Sequence, residues 1–177
     1  PGYELLQVEP ERGLARLPEP SAGDIFFDFE GDAFVGSAGL EYLLGWGVHG
    51  DDGRAEYRSA WALNAAEEQA AFEAFIDEVM DRRSERPGLH IYHFAPYAPS
   101  AMKRLMGRYA TREDEVDRLL RASVFVDLYS IAKQAIRAGI ERYSIKELEQ
   151  FYGYERDVEL RDASKSLRAF ERALELG

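Results

Sequence analysis

The chain has 177 residues, 46% of them hydrophobic and 31% charged, which suits one folded domain rather than a disordered segment. With 22 basic and 33 acidic residues its formal charge is −11, which excludes a protein that coats nucleic acid by charge alone but not a nuclease whose metal ligands are carboxylates. The lack of cysteine removes disulfides, thiolate zinc sites and a thiol nucleophile. Three scattered histidines, an acidic N-terminus and no long apolar run point to a soluble, cytoplasmic protein with oxygen-ligand chemistry and no membrane contact.

Residues 1–23, punctuated by Pro1, Pro10, Pro18 and Pro20, read as a lead or linker from a larger protein. The domain proper is expected over 24–177. Its first strand is 24–30, Asp-Ile-Phe-Phe-Asp-Phe-Glu, followed by strands at 39–48 and 54–62 with hairpin chemistry at Asp51-Asp52-Gly53. Asn64 and Glu67 stand at capping-box spacing, and Phe72, Phe75, Ile76, Val79 and Met80 recur with a helical period up to about Arg83. Residues 89–94 return to strand character, Pro99-Ser100 opens a helix to about Tyr109, and Thr111 caps a helix over 113–121. Residues 124–126 read as a short buried strand or extended segment, and from Asp127 onward the chain reads as helices interrupted near Gly139 and Gly153. The order βββαβα(α)βα describes an α/β fold, a mixed sheet with an antiparallel meander and then parallel strands, flanked by helices.

The chemistry concentrates at Asp28 and Glu30. Side chains two apart on a strand share a face. Two carboxylates so placed on an apolar strand repel unless a cation lies between them, and hard oxygen ligands suit Mg²⁺ or Mn²⁺. The plain alternative is that both acids stand exposed at a turn before Gly31. Asp24 and Asp32 read as strand-end and turn residues.

The run Asp24-Ile-Phe-Phe-Asp28-Phe-Glu30-Gly31-Asp32 resembles the first motif of DEDD-type 3′–5′ exonucleases. More narrowly, it is similar to the ribonuclease H-like domain of predicted RecB-type nucleases. Three further segments match in order: Ile91 to Ala101, Phe125 to Tyr129, and Tyr143-Ser144-Ile145-Lys146-Glu147-Leu148-Glu149 followed by Tyr152-Gly153. The resemblance implies a ribonuclease H-like fold and a phosphodiester hydrolase acting on single-stranded DNA or DNA ends. It also implies a two-ion Mg²⁺ or Mn²⁺ site with Asp28 and Glu30 as catalytic ligands, and a fused helicase-type region. The family places an acid after the tyrosine matched by Tyr97. Here that residue is Ala98, and no Asp or Glu occurs between Arg86 and Glu113. The family's last acid would fall beyond Gly177. The expectation is a weakly active or inactive fragment, with a non-catalytic nucleic-acid-binding or structural domain as the alternative.

Ser144 and Glu147 form a capping box that puts Lys146 in a first helical turn, where a phosphate would suit it and where a solvated lysine is the plain alternative. Asp127 reads as an N-cap, and His93 as a core or rim residue. Tyr97 either stacks on a base or packs. The glycines at 36, 39, 45 and 47 make no phosphate loop and read as turn or close-packing positions. Charge is uneven: residues 1–102 hold 7 basic and 19 acidic side chains, residues 103–177 hold 15 and 14. The second half therefore offers Lys103, Arg104, Arg108, Lys133, Arg137, Arg142 and Lys146 as phosphate contacts.

Overall fold

The structure is a computed structural model and describes residues 2–50 and 52–176. Strand β1 (Tyr3–Leu5) precedes the meander of β2 (Ile25–Asp32), β3 (Leu40–His49) and β4 (Ala55–Trp61). Helix α1 (Ala65–Glu85) leads to β5 (Ile91–His93), followed by α2 (Tyr97–Tyr109), α3 (Glu113–Arg121) and β6 (Phe125–Asp127). The chain ends through α4 (Leu128–Ala135), β7 (Ile136–Ala138), α5 (Ile145–Leu148) and α6 (Leu160–Leu176). The main sheet has the order β4-β3-β2-β5-β6, with β2 antiparallel to β3 and parallel to β5. This is the expected mixed sheet, with β2 at its centre.

Strand β2 alternates in burial because its two faces meet different surroundings. Ile25, Phe27 and Phe29 point into the main core, whereas Phe26, Asp28 and Glu30 emerge on the opposite, more open face. Against the core face lie Phe72, Phe75, Ile76 and Val79 of α1, with Phe27 stacked on Phe75 at 4.1 Å between ring centroids. Asn64 caps α1 by accepting from the Glu67 N–H at 3.0 Å. The reciprocal bond is displaced by one residue from the usual capping box: the Glu67 carboxylate accepts from the Leu63 N–H at 2.8 Å. Asp24 and Asp32 serve strand ends, as expected. Asp24 accepts from the N–H groups of Ser21 and His90, and Asp32 from that of Phe34.

The expected hairpin joins β3 and β4, and three other local expectations change. The turn between β3 and β4 closes with Gly53 at φ +75° and a 2.8 Å bond from the Gly50 N–H to the Arg54 carbonyl, while Asp51 lies outside the described residues. Helix α2 starts at Tyr97, ahead of Pro99, because proline is tolerated in a first turn whose N–H groups have no partner. Thr111 does not cap α3. Its hydroxyl donates to Glu73 at 2.7 Å, and Arg112 holds the cap position at φ +52°. The helical reading after Asp127 is broken by β7, which pairs antiparallel with β1. Residues of the proline-rich lead are therefore held against the domain: the Leu6 N–H donates to the Ala135 carbonyl at 2.8 Å and Arg16 to the Ser130 hydroxyl at 3.0 Å.

At the end of the sheet near Gly39, a buried polar network ties helices to strands. Glu68 is wholly buried and accepts from Arg108 at 2.7 Å, from the Tyr109 hydroxyl and from the Glu41 N–H. Arg108 also donates to the carbonyls of Ala38 and Gly39, so it pins the β2–β3 connection and is not free for phosphate. Removing one member of a buried ion pair strands the other charge. Arg108→Ala is expected to destabilise the protein by about 3 kcal/mol, the low end for a broken buried pair because two donors to Glu68 remain. Phe34→Ala, at a residue 81% exposed on the same connection, should fall within about 0.5 kcal/mol of the parent. Urea denaturation of both variants checks the contrast.

Candidate active site

Asp28 and Glu30 stand on the open face of the central strand, on either side of Phe29, whose ring is buried beneath them. Across the antiparallel register Asp28 faces Gly45 and Glu30 faces Leu43, with Phe26 opposite Gly47. A register shift between Glu30 and Gly31 ends the regular pairing beside the second acid. A Cβ at Gly31 would stand 2.8 Å from the Glu41 carboxyl carbon, so a side chain there would displace Glu41.

The two carboxylates are linked electrostatically and neutralised by neither an arginine nor a lysine in contact. Among the described residues no ion pair includes either one. Among the described residues the one hydrogen bond to them is from the Phe29 N–H to Asp28, at 2.9 Å. Burial raises the pKa of Asp28, opposed by that N–H and by His93. Burial also raises Glu30, and the charge of Asp28 adds to it. Lys146 lowers it, while Glu171 and Glu41 raise it again. Lys146 and His93 are thus the basic groups that act on the acid pair. His93 is buried, as expected for a core or rim residue, with its ring nitrogen 2.7 Å from the Ala95 carbonyl.

Glu171 was not singled out by the sequence, which was expected to bring its next acid only after Gly177. It reaches the site from α6, where Phe170 packs edge-on to Tyr42 at 5.1 Å and to Trp61 at 5.6 Å. The Tyr42 hydroxyl donates to Glu171 at 3.0 Å. The one sequence signal was an aromatic next to an acid on an amphipathic helix. No group of three or more His, Asp or Glu close enough to cage a metal occurs among the described residues. The donor set is therefore a pair of hard carboxylates facing an open groove, which fits an ion that keeps several waters and takes substrate oxygens, as Mg²⁺ does.

The other candidates are placed differently. Tyr97 and Arg104 both serve Glu41: the Tyr97 hydroxyl donates to its two oxygens at 2.9 Å, and Arg104 forms an ion pair with it while lying over the Tyr97 ring. Burial and Glu41 push the Tyr97 hydroxyl up to about 12. Tyr97 meets Phe29 edge-on and is not part of the groove wall. Lys103 is exposed on α2. Ala98 is buried in the main core on the first turn of α2. Asp127 is the N-cap of α4, accepting from the Tyr129 N–H, and it also accepts from the Ala95 N–H, both at 3.0 Å. Lys146 is exposed on α5, whose Ser144 cap accepts from the Glu147 N–H at 3.3 Å. That helix is a single turn, so its dipole contributes little.

A family model of the RNase H superfamily, RNase_H_2, matches residues 25–175. The fold is that of a ribonuclease H-like domain, and the chain belongs to the RNase_H_2 family. Comparison with curated proteins and with solved structures finds no match. Membership supports a nuclease-like domain and, at that level, a nucleic-acid hydrolase; nucleases of this superfamily generally use divalent metals. No helix among the described residues is long and apolar enough to cross a membrane.

A raised carboxylate pKa means that the folded state keeps its proton to higher pH than the unfolded chain. Stability is then lost as pH rises from the ordinary carboxylate range through the raised folded value. Glu30→Gln is therefore expected to stabilise the metal-free protein at pH 7, by at most about 1 kcal/mol once screening at its exposed oxygens is allowed for, or about 2–4 °C in Tm. The gain should vanish below about pH 4. Thermal melts of both proteins across that range test it, and a variant less stable than the parent at pH 7 would show Glu30 to be favourably paired.

Proposed function

We propose that the chain is the catalytic domain of a divalent-metal-dependent nuclease, a 3′–5′ exonuclease acting on DNA ends or single strands beside a helicase-type region in a larger protein. The observation that carries this reading is the Asp28–Glu30 pair, unneutralised on the central strand at the edge of an open groove. Burial raises both carboxylates and the charge of Asp28 raises Glu30 further, which costs stability in the metal-free protein, and a bound cation reverses that cost.

In this reading Asp28 and Glu30 would hold Mg²⁺ or Mn²⁺, which would supply the positive charge for activating water and stabilising the leaving oxygen of the phosphodiester. The Phe29 N–H keeps one Asp28 oxygen oriented, leaving the other for the metal. Lys146, whose charge is felt at Glu30, neutralises a phosphate oxygen on the open side. Glu171 adds a third negative group near Glu30, held by Tyr42, and strengthens the demand for a cation. Lys103 is available to the strand outside the centre, whereas Tyr97 and Arg104 act indirectly by retaining Glu41.

Ala98 supplies no ligand from α2, so turnover by this chain is expected to be low. The same residue favours the second reading, a domain that binds nucleic acid without cleaving it. End-labelled single-stranded DNA incubated with the chain and Mn²⁺ separates the two. Slow, metal-dependent shortening that falls by about 100-fold or more in Asp28→Ala supports the nuclease, given the ~10²–10³ lost when one preorganised charge-stabilising group is removed. Shortening unaffected by Asp28→Ala overturns the assignment of the site, and binding without shortening favours the second reading.

A further inference from the structure

Among the described residues strand β4 is an edge of the main sheet, paired with β3 on one side alone. Its 7 residues follow β3 without a register shift, and none is proline or lysine, the residues that commonly blunt a free edge. Backbone groups alternate between the two sides of a strand, and two bonds fix which residues turn outward. The Gly50 N–H donates to the Arg54 carbonyl at 2.8 Å, and the Ala62 N–H to the Tyr42 carbonyl at 2.9 Å, at the two ends of one ladder. Even-numbered residues of β4 therefore face β3, and the N–H and C=O groups of Ala55, Tyr57 and Ser59 point away from the sheet. Among the described residues no turn, loop or cap bond engages them. Their side chains are exposed on the face that carries Asp28 and Glu30, since Tyr57 pairs with Gly47 and Ser59 with Gly45. Gly45 and Gly47 form a floor without side chains, and the Tyr57 ring leans back over it, its hydroxyl 2.7 Å from where a Cβ at Gly45 would stand. The ring leaves the outer edge uncovered.

On the opposite face, Glu56 and Arg58 are bonded to each other at 3.0 Å, and Arg58 also reaches Glu78 of α1. An acid and a base on either side of Tyr57 make the edge self-complementary. An antiparallel copy centred on Tyr57 places Ala55 opposite the copy's Ser59 and Glu56 opposite the copy's Arg58, and symmetry repeats both pairs. Tyr57 meets its own counterpart in a hydrogen-bonded pair, and the outward groups of Ala55, Tyr57 and Ser59 exchange about six N–H···O bonds. Centring on Glu56 or Arg58 opposes like charges, and centring on Ser59 leaves both charges facing alanine. Registers centred nearer either end pair few residues of the strand. We infer that β4 is a self-association edge, joining two copies of this chain into one continuous sheet about a two-fold axis normal to it. The inference rests on the sheet edge and is independent of the nuclease reading. Directly opposite residues share a face, so both acid pairs open on the same side of the joined sheet. Five strand spacings separate β2 of one copy from β2 of the other, or about 24 Å.

The test is sedimentation velocity of the full chain over a dilution series from micromolar to millimolar, with circular dichroism and thermal melts confirming that each variant is folded. The parent is expected to pass from monomer to dimer as concentration rises. Ser59→Pro removes an outward N–H and leaves the bonds to β3 in place, so it is expected to abolish the dimer. Glu56→Lys and Arg58→Glu each set like charges opposite one another in two places, and each alone is expected to weaken the dimer by about tenfold. An equimolar mixture of these two variants sets opposite charges across the edge again and is expected to associate more tightly than either alone. Mixing cannot rescue a variant that has merely lost stability, so the rescue reads pairing itself. Should Arg58→Glu, which also loses Glu78, fail to fold, Ser59→Pro and Glu56→Lys decide the matter. A parent that stays monomeric throughout the series overturns the inference, as does a dimer that Ser59→Pro and Glu56→Lys leave unchanged.

Discussion

Two like charges on one face of a central strand are the constraint around which this domain is arranged. Asp28 and Glu30 share a face because the strand repeats every two residues, and among the described residues no arginine or lysine forms an ion pair with either. The core cannot take them, since Ile25, Phe27 and Phe29 fill the other face against α1. They must stand at a surface open enough for water and closed enough to raise their pKa. The groove beside β3 provides that intermediate setting: its glycine floor opens space, and Phe26, Tyr92 and Tyr57 limit it.

Other acids show how the chain treats a carboxylate that has no open task. Glu68, at zero exposure, is saturated by Arg108, Tyr109 and a backbone N–H. Glu41 is held by Tyr97 and Arg104, and Asp24 by backbone donors from two segments. Against these, the acid pair has a single N–H donor between two carboxylates among the described residues. The net charge of −11 therefore covers acids of different kinds, some bonded locally and a pair left open on the central strand. It limits broad electrostatic attraction to nucleic acid but leaves room for a short, metal-bridged contact.

Much of the fold was legible because its signals are local. The alternation of Ile25, Phe27 and Phe29 with Phe26, Asp28 and Glu30 gives both the strand and its two faces, and the helical spacing of Phe72, Phe75, Ile76 and Val79 gives the helix that covers one of them. The pairing of β1 with β7 was not legible, since three residues such as Ile136–Ala138 carry no period, and their partners lie more than a hundred residues away. The same limit governs the site. Asp28 and Glu30 are marked by their spacing on one strand, and Asp127 by its position before a helix. Glu171 is brought in by α6, and Tyr97 and Arg104 are engaged by Glu41 across the fold, which no spacing within α2 reveals. Gly45 read correctly as a close-packing position, since the Tyr57 hydroxyl lies 2.7 Å from where its Cβ would stand, whereas a Cβ at Gly47 would meet only ordinary contacts at 3.9 Å.

The central claim is that the repulsion between Asp28 and Glu30 is resolved by a divalent cation. Isothermal titration of Mn²⁺ into the chain and into the double variant Asp28→Asn/Glu30→Gln tests it most directly. Heat from a site present in the parent and absent from the variant is the expected result. Loss of affinity should exceed the about 10- to 100-fold that follows removal of an outer-shell partner. Identical isotherms for the two proteins would contradict the account.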